Sequence, residues 1–199
     1  MFKVQKKHKL FRRFFFSDAL IIHITLVNKK HILQILPKMG FEHFDYVEPI
    51  NHSRGLAVLW NNDLIYASAI RKEKRAIHML VHDTQKLISG VYAPAQLTDK
   101  DEFWSTLMQM SNVVDLPWCI IGDFNELANP SEKKGGKRHS QAKYVRLNHF
   151  LDRINAISVP YNGYPFTWKK RLQSHLIYER LDRAIVRNDW LQPLSGYTY

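Results

Sequence analysis

The sequence predicts an α+β fold in which two β-sheets pack face to face and helices cover their outer sides. The first observation is composition, because 199 residues with 45% hydrophobic and 24% charged residues are typical of one globular domain with a sizeable core. The second is a series of short β-branched runs separated by turn residues, a pattern typical of antiparallel strands. The third is a set of segments with apolar residues at helical spacing, which predict the outer helices.

The predicted strands begin with the apolar run 19–27. Turn residues such as Asn61-Asn62-Asp63 separate the runs that follow, so neighbouring strands are expected to pair antiparallel. Pro117–Ile121 predicts a buried strand, and the last two strands are predicted at Pro165–Trp168 and Arg180–Val186. The runs between the first strand and residue 92 cover residues 43–49, 55–60, 64–70, 76–82 and 86–92.

Three helices are predicted between the strands. Asn28 can cap the first, which carries apolar residues at helical spacing and stops near Pro37. The second covers residues 98–114, and the third opens at Ser140. The core-facing residues are Phe103, Leu107 and Met110 in the second helix, and Tyr144, Leu147, Phe150, Leu151 and Ile154 in the third.

The net charge of +11 is unevenly placed along the chain. Residues 1–13 carry six basic and no acidic side chains, residues 14–130 are slightly acidic, and residues 131–199 carry thirteen basic and five acidic side chains. We interpret residues 1–18 as a basic N-terminal segment, whose order the sequence leaves open, and residues 19–199 as one domain. The basic ends favour a polyanionic partner, DNA or another nucleic acid, and a merely solvated basic face is the alternative.

The cysteine content and the apolar runs give information on the cellular location of the protein. Cys119 is the single cysteine, which excludes an intrachain disulfide. It lies in an apolar run, so we expect a buried, inert thiol. No run of about 18 uncharged apolar residues exists, so a membrane-spanning helix is not expected. The basic start before Phe14-Phe15-Phe16 resembles a targeting signal, but Asp18 interrupts the apolar part. We expect an intracellular location, with the nucleus included.

The run Gly122-Asp123-Phe124-Asn125 is the sharpest candidate for chemistry. It follows an apolar strand, and sites gather at strand ends in layered α/β folds. The Asp123 carboxylate and the Asn125 amide can together orient a water and hold a phosphate oxygen. The alternative is an Asx turn, in which both side chains bond only the local backbone.

Three further segments carry candidate site residues. Tyr92 ends a strand before Pro94, so its hydroxyl can bond phosphate, and a packed aromatic is the alternative. Asp182 shares a strand face with Arg180, and a cross-strand ion pair, which stabilises little at a surface, is the alternative. In Phe166-Thr167-Trp168 we expect both rings to pack in the core. The basic loop is a candidate for nucleic-acid binding through Lys133, Lys134, Lys137 and Arg138.

The order and spacing of these segments resemble the endonuclease/exonuclease/phosphatase family, whose fold is DNase I-like. The resemblance is greatest to the endonuclease domain of plant LINE-type retrotransposons, and it runs from about Leu36 to Leu194. The residues that carry it are Gly55–Trp60, Val91–Pro94, Trp118–Glu126, Ser131-Glu132-Lys133 with Gly135-Gly136, Phe166-Thr167-Trp168 and Glu179–Arg183.

The resemblance implies a four-layer α/β/β/α sandwich that hydrolyses phosphodiesters with a divalent metal, usually Mg²⁺. By position, Asp123 would activate the attacking water and Asn125 would hold the scissile phosphate. Tyr92 would contact phosphate or assist the leaving group, and Asp182 would orient a histidine. A metal and fixed donors offset the negative charge that develops on phosphate during cleavage.

Three departures from the family pattern bear on function. The position of the metal-binding glutamate falls near Thr25, the first-strand asparagine has no counterpart, and the terminal Ser-Asp-His element is missing. We therefore expect an incomplete sandwich, a fragment whose metal ligands are unknown and whose hydrolysis is weakened or lost. The alternatives are a non-catalytic, basic nucleic-acid-binding remnant and a chain with no selected biochemical role.

Overall fold

The computed structural model describes residues 3–8, 11–17, 20–25, 29–35, 38, 40–49, 55–161, 163–172 and 175–191. A five-stranded antiparallel sheet occupies the first part of the chain. Its strands are β1 (Lys3–His8), β2 (Phe11–Ser17), β3 (Leu20–Thr25), β4 (His43–Val47) and β5 (Gly55–Trp60), in the spatial order β1-β2-β3-β5-β4. Helix α1 (Lys29–Ile35) follows β3. Two strands thus lie within residues 1–18, and the division of the chain at residue 18 stays a prediction.

A six-stranded sheet forms the second layer of strands. It contains β6 (Ala67–Glu73), β7 (Ala76–Val81), β8 (Lys86–Tyr92), β9 (Trp118–Asp123), β11 (Ala156–Ser158) and β14 (Asp182–Arg187), in the order β11-β14-β9-β8-β7-β6. Strands β8 and β9 pair in parallel, and all other pairs in this sheet are antiparallel. Helix α2 (Lys100–Val113) joins β8 to β9, because a parallel pair needs a crossover connection.

The two sheets pack face to face, as predicted. Side chains of β5, β7 and β9, such as Val58, Met79 and Ile121, meet in one buried cluster between the sheets. On the other face of the six-stranded sheet, Leu107 of α2 and Phe150 of α3 (Ala142–Arg153) cover β9. Ile32 of α1 packs on the outer face of the five-stranded sheet against Ala57 and Leu59, within a third cluster. These layers confirm the predicted α/β/β/α sandwich.

A small third sheet differs from the sequence-based assignment. It consists of β10 (Lys133–Lys134), β12 (Trp168–Leu172) and β13 (His175–Glu179), in the order β10-β13-β12. The strand predicted at Pro165–Trp168 was wrong, because the chain becomes extended only from Trp168 onward. The hairpin escaped prediction because its first strand, Trp-Lys-Lys-Arg-Leu, is mostly exposed and lacks the apolar alternation of a half-buried strand.

Most other predicted elements are present with shifted ends. The strand expected at 64–70 covers Ala67–Glu73, and the strand expected at 180–186 begins at Asp182. The cap assigned to Asn28 and the stop assigned to Pro37 lie outside the described residues. Cys119 is fully buried, and burial raises the pKa of its thiol, so the thiol is inert as expected. No helix in the described ranges is long and apolar enough to cross a membrane.

Candidate active site

Three of the four predicted catalytic residues lie in one row across the six-stranded sheet. Tyr92 of β8 is in register with Asp123 of β9, and Asp123 is in register with Asp182 of β14. Residues in register on neighbouring strands point to the same face, which here is the face toward the five-stranded sheet. The row stands at one edge of the sheet, because β8 and β9 end there and β14 begins there.

Gly122 explains why β8 and β9 come together so closely before this edge. A Cβ atom on Gly122 would lie 1.9 Å from the carbonyl oxygen of Val91, so only glycine fits between the two backbones. One residue further on, the amide of Ala93 donates a 2.8 Å hydrogen bond to the carbonyl oxygen of Asp123. The glycine therefore acts inside β9, by permitting this approach of the two backbones.

Asn125, the fourth predicted residue, lies in a tight turn directly after Asp123. Its backbone is left-handed, with φ of +47°, a conformation that asparagine tolerates better than most residues. Its amide N–H donates to Asp123 Oδ1 at 2.9 Å, and its side-chain Nδ2 donates to the carbonyl oxygen of Ala93 at 2.7 Å. The bond to Asp123 Oδ1 is that of an Asx turn, but the Asn125 side chain bonds Ala93, directly after β8, and not only the local backbone, so the Asx-turn alternative holds in part.

Thr167 holds the start of β14 at the edge. Its hydroxyl accepts hydrogen bonds from the amides of Leu181 and Asp182, both at 3.0 Å. The carbonyl of Leu181 in turn accepts a 2.9 Å bond from the amide of Phe124. Trp168 packs near Leu181 but stays partly exposed, so the expected core packing of this aromatic is confirmed only in part, and the role of the hydroxyl was missed. A hydroxyl between two aromatics, with a polar strand end nearby, was the signal that could have indicated it.

A buried ion pair lies against the turn. Lys100, the first residue of α2, is 1% exposed and places its Nζ 2.8 Å from Glu126 Oε1, which is equally buried. The same ammonium donates to the carbonyl oxygen of Asn125 at 2.7 Å. Lys143 of α3 approaches both groups more distantly, at 3.3 Å from that carbonyl and 3.8 Å from Glu126 Oε2. Burial lowers the pKa of Lys100, and Glu126 opposes that shift.

A second buried ionic network ties β14 to the segment after β9. Glu132 accepts hydrogen bonds from Arg183 at 2.8 and 3.0 Å and from Arg180 at 3.3 Å. It also accepts from the amide of Ala128 at 2.6 Å. Arg180 lies outside β14, which begins at Asp182, and its ion pair is with Glu132, a buried residue outside the strands, so it is not the cross-strand surface pair of the alternative. These contacts fix the chain on both sides of Asp182.

The four predicted nucleic-acid-binding cations are in two different environments. Lys134, Lys137 and Arg138 are exposed. Lys133 is different, because its Nζ lies 2.8 Å from Glu179 Oε1 and its side chain is only 9% exposed. Glu179 is also 2.8 Å from His139 Nε2, and its hydrogen bonds to both groups lower its pKa in spite of burial. Arg138 and His139 line a cleft of about 530 Å³ against the start of α3.

The described residues offer a small set of metal donors. They contain no group of three or more histidine, cysteine, aspartate or glutamate side chains that could hold a metal ion. The carboxylates of Asp123 and Asp182 are the acidic groups of the row, and their residues are 4% and 2% exposed. Thr25, at the position of the family's glutamate, ends β3 in register with Gly55.

Comparison with known proteins identifies the fold. No protein-family sequence model matches this chain, and no curated protein sequence matches it either. Among solved structures, the endonuclease domain of TRAS1, a telomere-specific non-LTR retrotransposon, aligns with a TM-score of 0.60 at 8% identity, over 82% of this chain and 80% of that one. The 3′ phosphatase NExo from Neisseria, bound to product DNA hairpin, aligns at 0.64 and 14% identity, over 86% and 77%.

An AP endonuclease from Archaeoglobus fulgidus aligns with a TM-score of 0.60 at 14% identity, over 82% of this chain and 73% of that one. The chain therefore has the fold of endonuclease/exonuclease/phosphatase proteins, the DNase I-like sandwich, which confirms the resemblance seen in the sequence at the level of fold.

Proposed function

We propose that this chain is a weak, divalent-metal-dependent phosphodiesterase that acts on DNA at the edge formed by β8, β9 and β14. The observation that carries the proposal is the row of Tyr92, Asp123 and Asp182 in direct register, with Asn125 in the adjoining turn. Hydrolysis of a phosphodiester needs a base for water and donors for the phosphate oxygens. A carboxylate, an amide and a phenol at one sheet edge supply those groups.

The roles follow from the chemistry of each side chain. The Asp123 carboxylate takes the proton of the attacking water. Asn125 has two N–H donors on its amide nitrogen, of which the bond to Ala93 uses one, so the other is directed to a phosphate oxygen. The Tyr92 hydroxyl bonds phosphate or the leaving group. These assignments agree with those that the family resemblance implies.

The residues present fit Mg²⁺ as a metal held by two carboxylates and completed by substrate phosphates and water. Carboxylates in register on neighbouring strands attract a cation, and Mg²⁺ is commonly held by one or two carboxylates together with substrate phosphates. Asp123 and Asp182 would be those ligands, and the metal would neutralise charge on the phosphate. Both carboxylates are nearly buried, so we expect low metal affinity without DNA and slow turnover.

The test is nicking of supercoiled plasmid DNA with and without Mg²⁺, using Asp123→Asn and Asp182→Asn. Loss of a group that acts in the transition state costs roughly 10²–10³ in rate, so each variant is expected to fall by about that factor. Asp152→Asn, an exposed aspartate on α3, is the matched control and should cleave like the parent protein. Cleavage that persists in Asp123→Asn would assign the activity to another site or to a contaminant.

A second candidate function, nucleic-acid binding without catalysis, is favoured by the three exposed cations Lys134, Lys137 and Arg138. They stand on a loop whose ends are fixed by the Lys133–Glu179 and His139–Glu179 contacts, so their charges are held in one place. Electrostatic binding of this kind needs no intact active site and weakens steeply with salt.

DNA affinity measured across a salt series tests this second candidate. Replacing the three exposed cations by alanine should reduce the slope of log affinity against log salt by roughly two to three, about one for each phosphate contact. Arg71, Lys72 and Lys74 on and beside β6 provide a charge-matched control. Equal losses of DNA affinity in the two triple variants would refute a dedicated basic loop.

For either function we also propose an intracellular location, the nucleus included.

A further inference from the structure

Lys100 is a buried lysine that makes two polar contacts, one to a carboxylate and one to a backbone carbonyl. Lysine is almost never fully buried unless it is paired, because removing its charge from water is costly. The ion pair with Glu126 at 2.8 Å accounts for the burial of the charge. It does not account for the second contact, in which the ammonium donates to the carbonyl oxygen of Asn125 at 2.7 Å.

That second contact reaches the backbone of a residue in an unusual conformation. Asn125 has a positive φ, so its peptide groups lie outside any helix or strand ladder and need other partners. The amide N–H finds Asp123 Oδ1, and the carbonyl finds the Lys100 ammonium. A charged donor makes a shorter and stronger hydrogen bond than a neutral one. The bond therefore opposes rotation of the turn toward an ordinary right-handed conformation.

We propose that Lys100 is a positioning residue for the candidate active site: its ammonium holds the Asn125 carbonyl, and so fixes the turn that aligns the Asn125 amide with the Asp123 carboxylate. Glu126 lowers the cost of burying the ammonium there, whereas the bond to the turn is made by Lys100 itself. A catalytic role for the turn rests on the proposed phosphodiesterase function. The contact by which Lys100 holds the conformation of the turn does not depend on that function.

Lys143 is the natural comparison for this role. It approaches the same two groups at 3.3 and 3.8 Å, and its side chain is 25% exposed, so water screens its charge. A generic need for positive charge near Glu126 would be met by either lysine. Lys143 also donates to the Asn125 carbonyl, but its bond of 3.3 Å is longer than the 2.7 Å bond of Lys100, and this difference makes Lys143→Met a control at the same location.

The test measures hydrogen exchange of the Asn125 amide relative to the amides of β9, by NMR. The double variant Lys100→Met/Glu126→Gln removes the donor without leaving a buried charge, and the single variant Glu126→Gln keeps the lysine. We expect relative exchange at Asn125 to rise about tenfold or more in the double variant. It should stay within about threefold of the parent in Glu126→Gln and in Lys143→Met, because both retain the shorter bond from Lys100 to the Asn125 carbonyl.

Two outcomes would overturn the proposal. The first is unchanged relative exchange at Asn125 in the double variant, and the second is an equal rise in Glu126→Gln, which would assign the effect to the ion pair. Should the double variant fail to fold, Lys100→Arg retains charge in a different donor geometry and is expected to raise relative exchange at Asn125 between the two limits. Exchange at the parent level in Lys100→Arg would then count against positioning by Lys100.

A plasmid-nicking assay on the same variants separates this proposal from the proposed function. If the parent protein cleaves DNA, the double variant should lower kcat by roughly 10–100-fold with little change in KM. The reason is that the variant misaligns the turn at the reacting phosphate and leaves the other contacts to DNA in place. If the parent protein does not cleave DNA, the phosphodiesterase proposal fails while the exchange result still decides whether Lys100 holds the turn.

Discussion

Two groups of buried polar side chains lie between the six-stranded sheet and the outer helices, and they are built in opposite ways. At the site edge, the Lys100–Glu126 pair is ionic and bonds a loop carbonyl. Within the sheet, Ser89 accepts a 2.7 Å bond from Trp118 Nε1 and lies 2.6 Å from His78 Nδ1. We call the first the edge pair and the second the interior cluster.

The edge pair is ionic and the interior cluster is neutral because the backbone around them has different hydrogen-bonding needs. Burial, with a contribution from the Arg71 charge, lowers the pKa of His78 to about 4, so the interior cluster is neutral near pH 7. Strand ladders already satisfy the backbone there, and neutral bonds suffice. At the site edge a left-handed turn leaves a carbonyl outside any ladder, and a charged donor satisfies it. Buried charge in this layer thus supports the loop that carries the site.

The largest expected effect comes from breaking the edge pair on one side. Lys100→Met leaves the buried Glu126 carboxylate with only the more distant Lys143 at 3.8 Å and should lower the free energy of unfolding by about 3 kcal/mol. Urea denaturation measures this loss. The double variant Lys100→Met/Glu126→Leu, which removes both charges, should recover most of it, and a double variant as unstable as the single one would contradict the compensated-pair interpretation.

The next effect concerns the interior cluster and pH. The folded pKa of His78 lies below its ordinary value of 6.5, so the unfolded chain binds the proton more readily between about pH 6.5 and pH 4. Stability due to neutral His78 is therefore complete above that window and is lost as pH falls through it, by on the order of 3 kcal/mol. Urea titrations at several pH values should show this slope.

His78→Gln should flatten that pH dependence, since glutamine does not titrate. The exposed His149, replaced by the same residue, is the control and should leave the slope in place. An unchanged slope in His78→Gln would mean that other groups cause the acid sensitivity.

A smaller effect is expected from Ser89→Ala. The variant removes the acceptor of the Trp118 Nε1–H and the partner of His78, leaving buried polar atoms without bonds, at about 1–3 kcal/mol. Thermal denaturation can compare it with Ser105→Ala, an exposed serine on α2. Equal Tm values for the two variants would show that the interior cluster adds little to stability.

The smallest effect belongs to an ion pair outside both groups. Arg146 on α3 lies 3.0 Å from Asp101 on α2, but the Asp101 side chain is 81% exposed. Asp101→Asn should cost only about 0.2–1 kcal/mol, and the cost should shrink further in high salt. A loss similar to that of Lys100→Met would show that burial is not what separates the two ion pairs.

The residues of the row could be predicted because each stands at the end of an apolar strand. Strand ends are visible in sequence, and the four-layer sandwich brings these ends to one edge. Asn125 was predictable from the same short run. The local turn chemistry that holds it was equally visible, as the Asx-turn alternative.

The contacts that hold the row in place could not be predicted, because they join segments that are far apart in the sequence. Lys100 meets Asn125 across 25 positions, and Glu132 meets Arg183 across 51. No periodicity or turn signal links residues so far apart, and a lysine at a helix start is usually solvated. Lys133 was assigned to nucleic acid for a similar reason, since its ion pair with Glu179 depends on the unpredicted hairpin.

The pairing of β14 with β9 governs when the site can exist during folding. Asp182 reaches Asp123 only after a segment of nearly sixty residues has closed, and contacts at such separation form slowly. A chain that has assembled β5 to β9 but not yet added β14 holds one carboxylate of the row without the other. The two carboxylates of the row therefore come together only when the sheet is complete, so under the proposed function a partly folded chain would have no paired carboxylates for a metal.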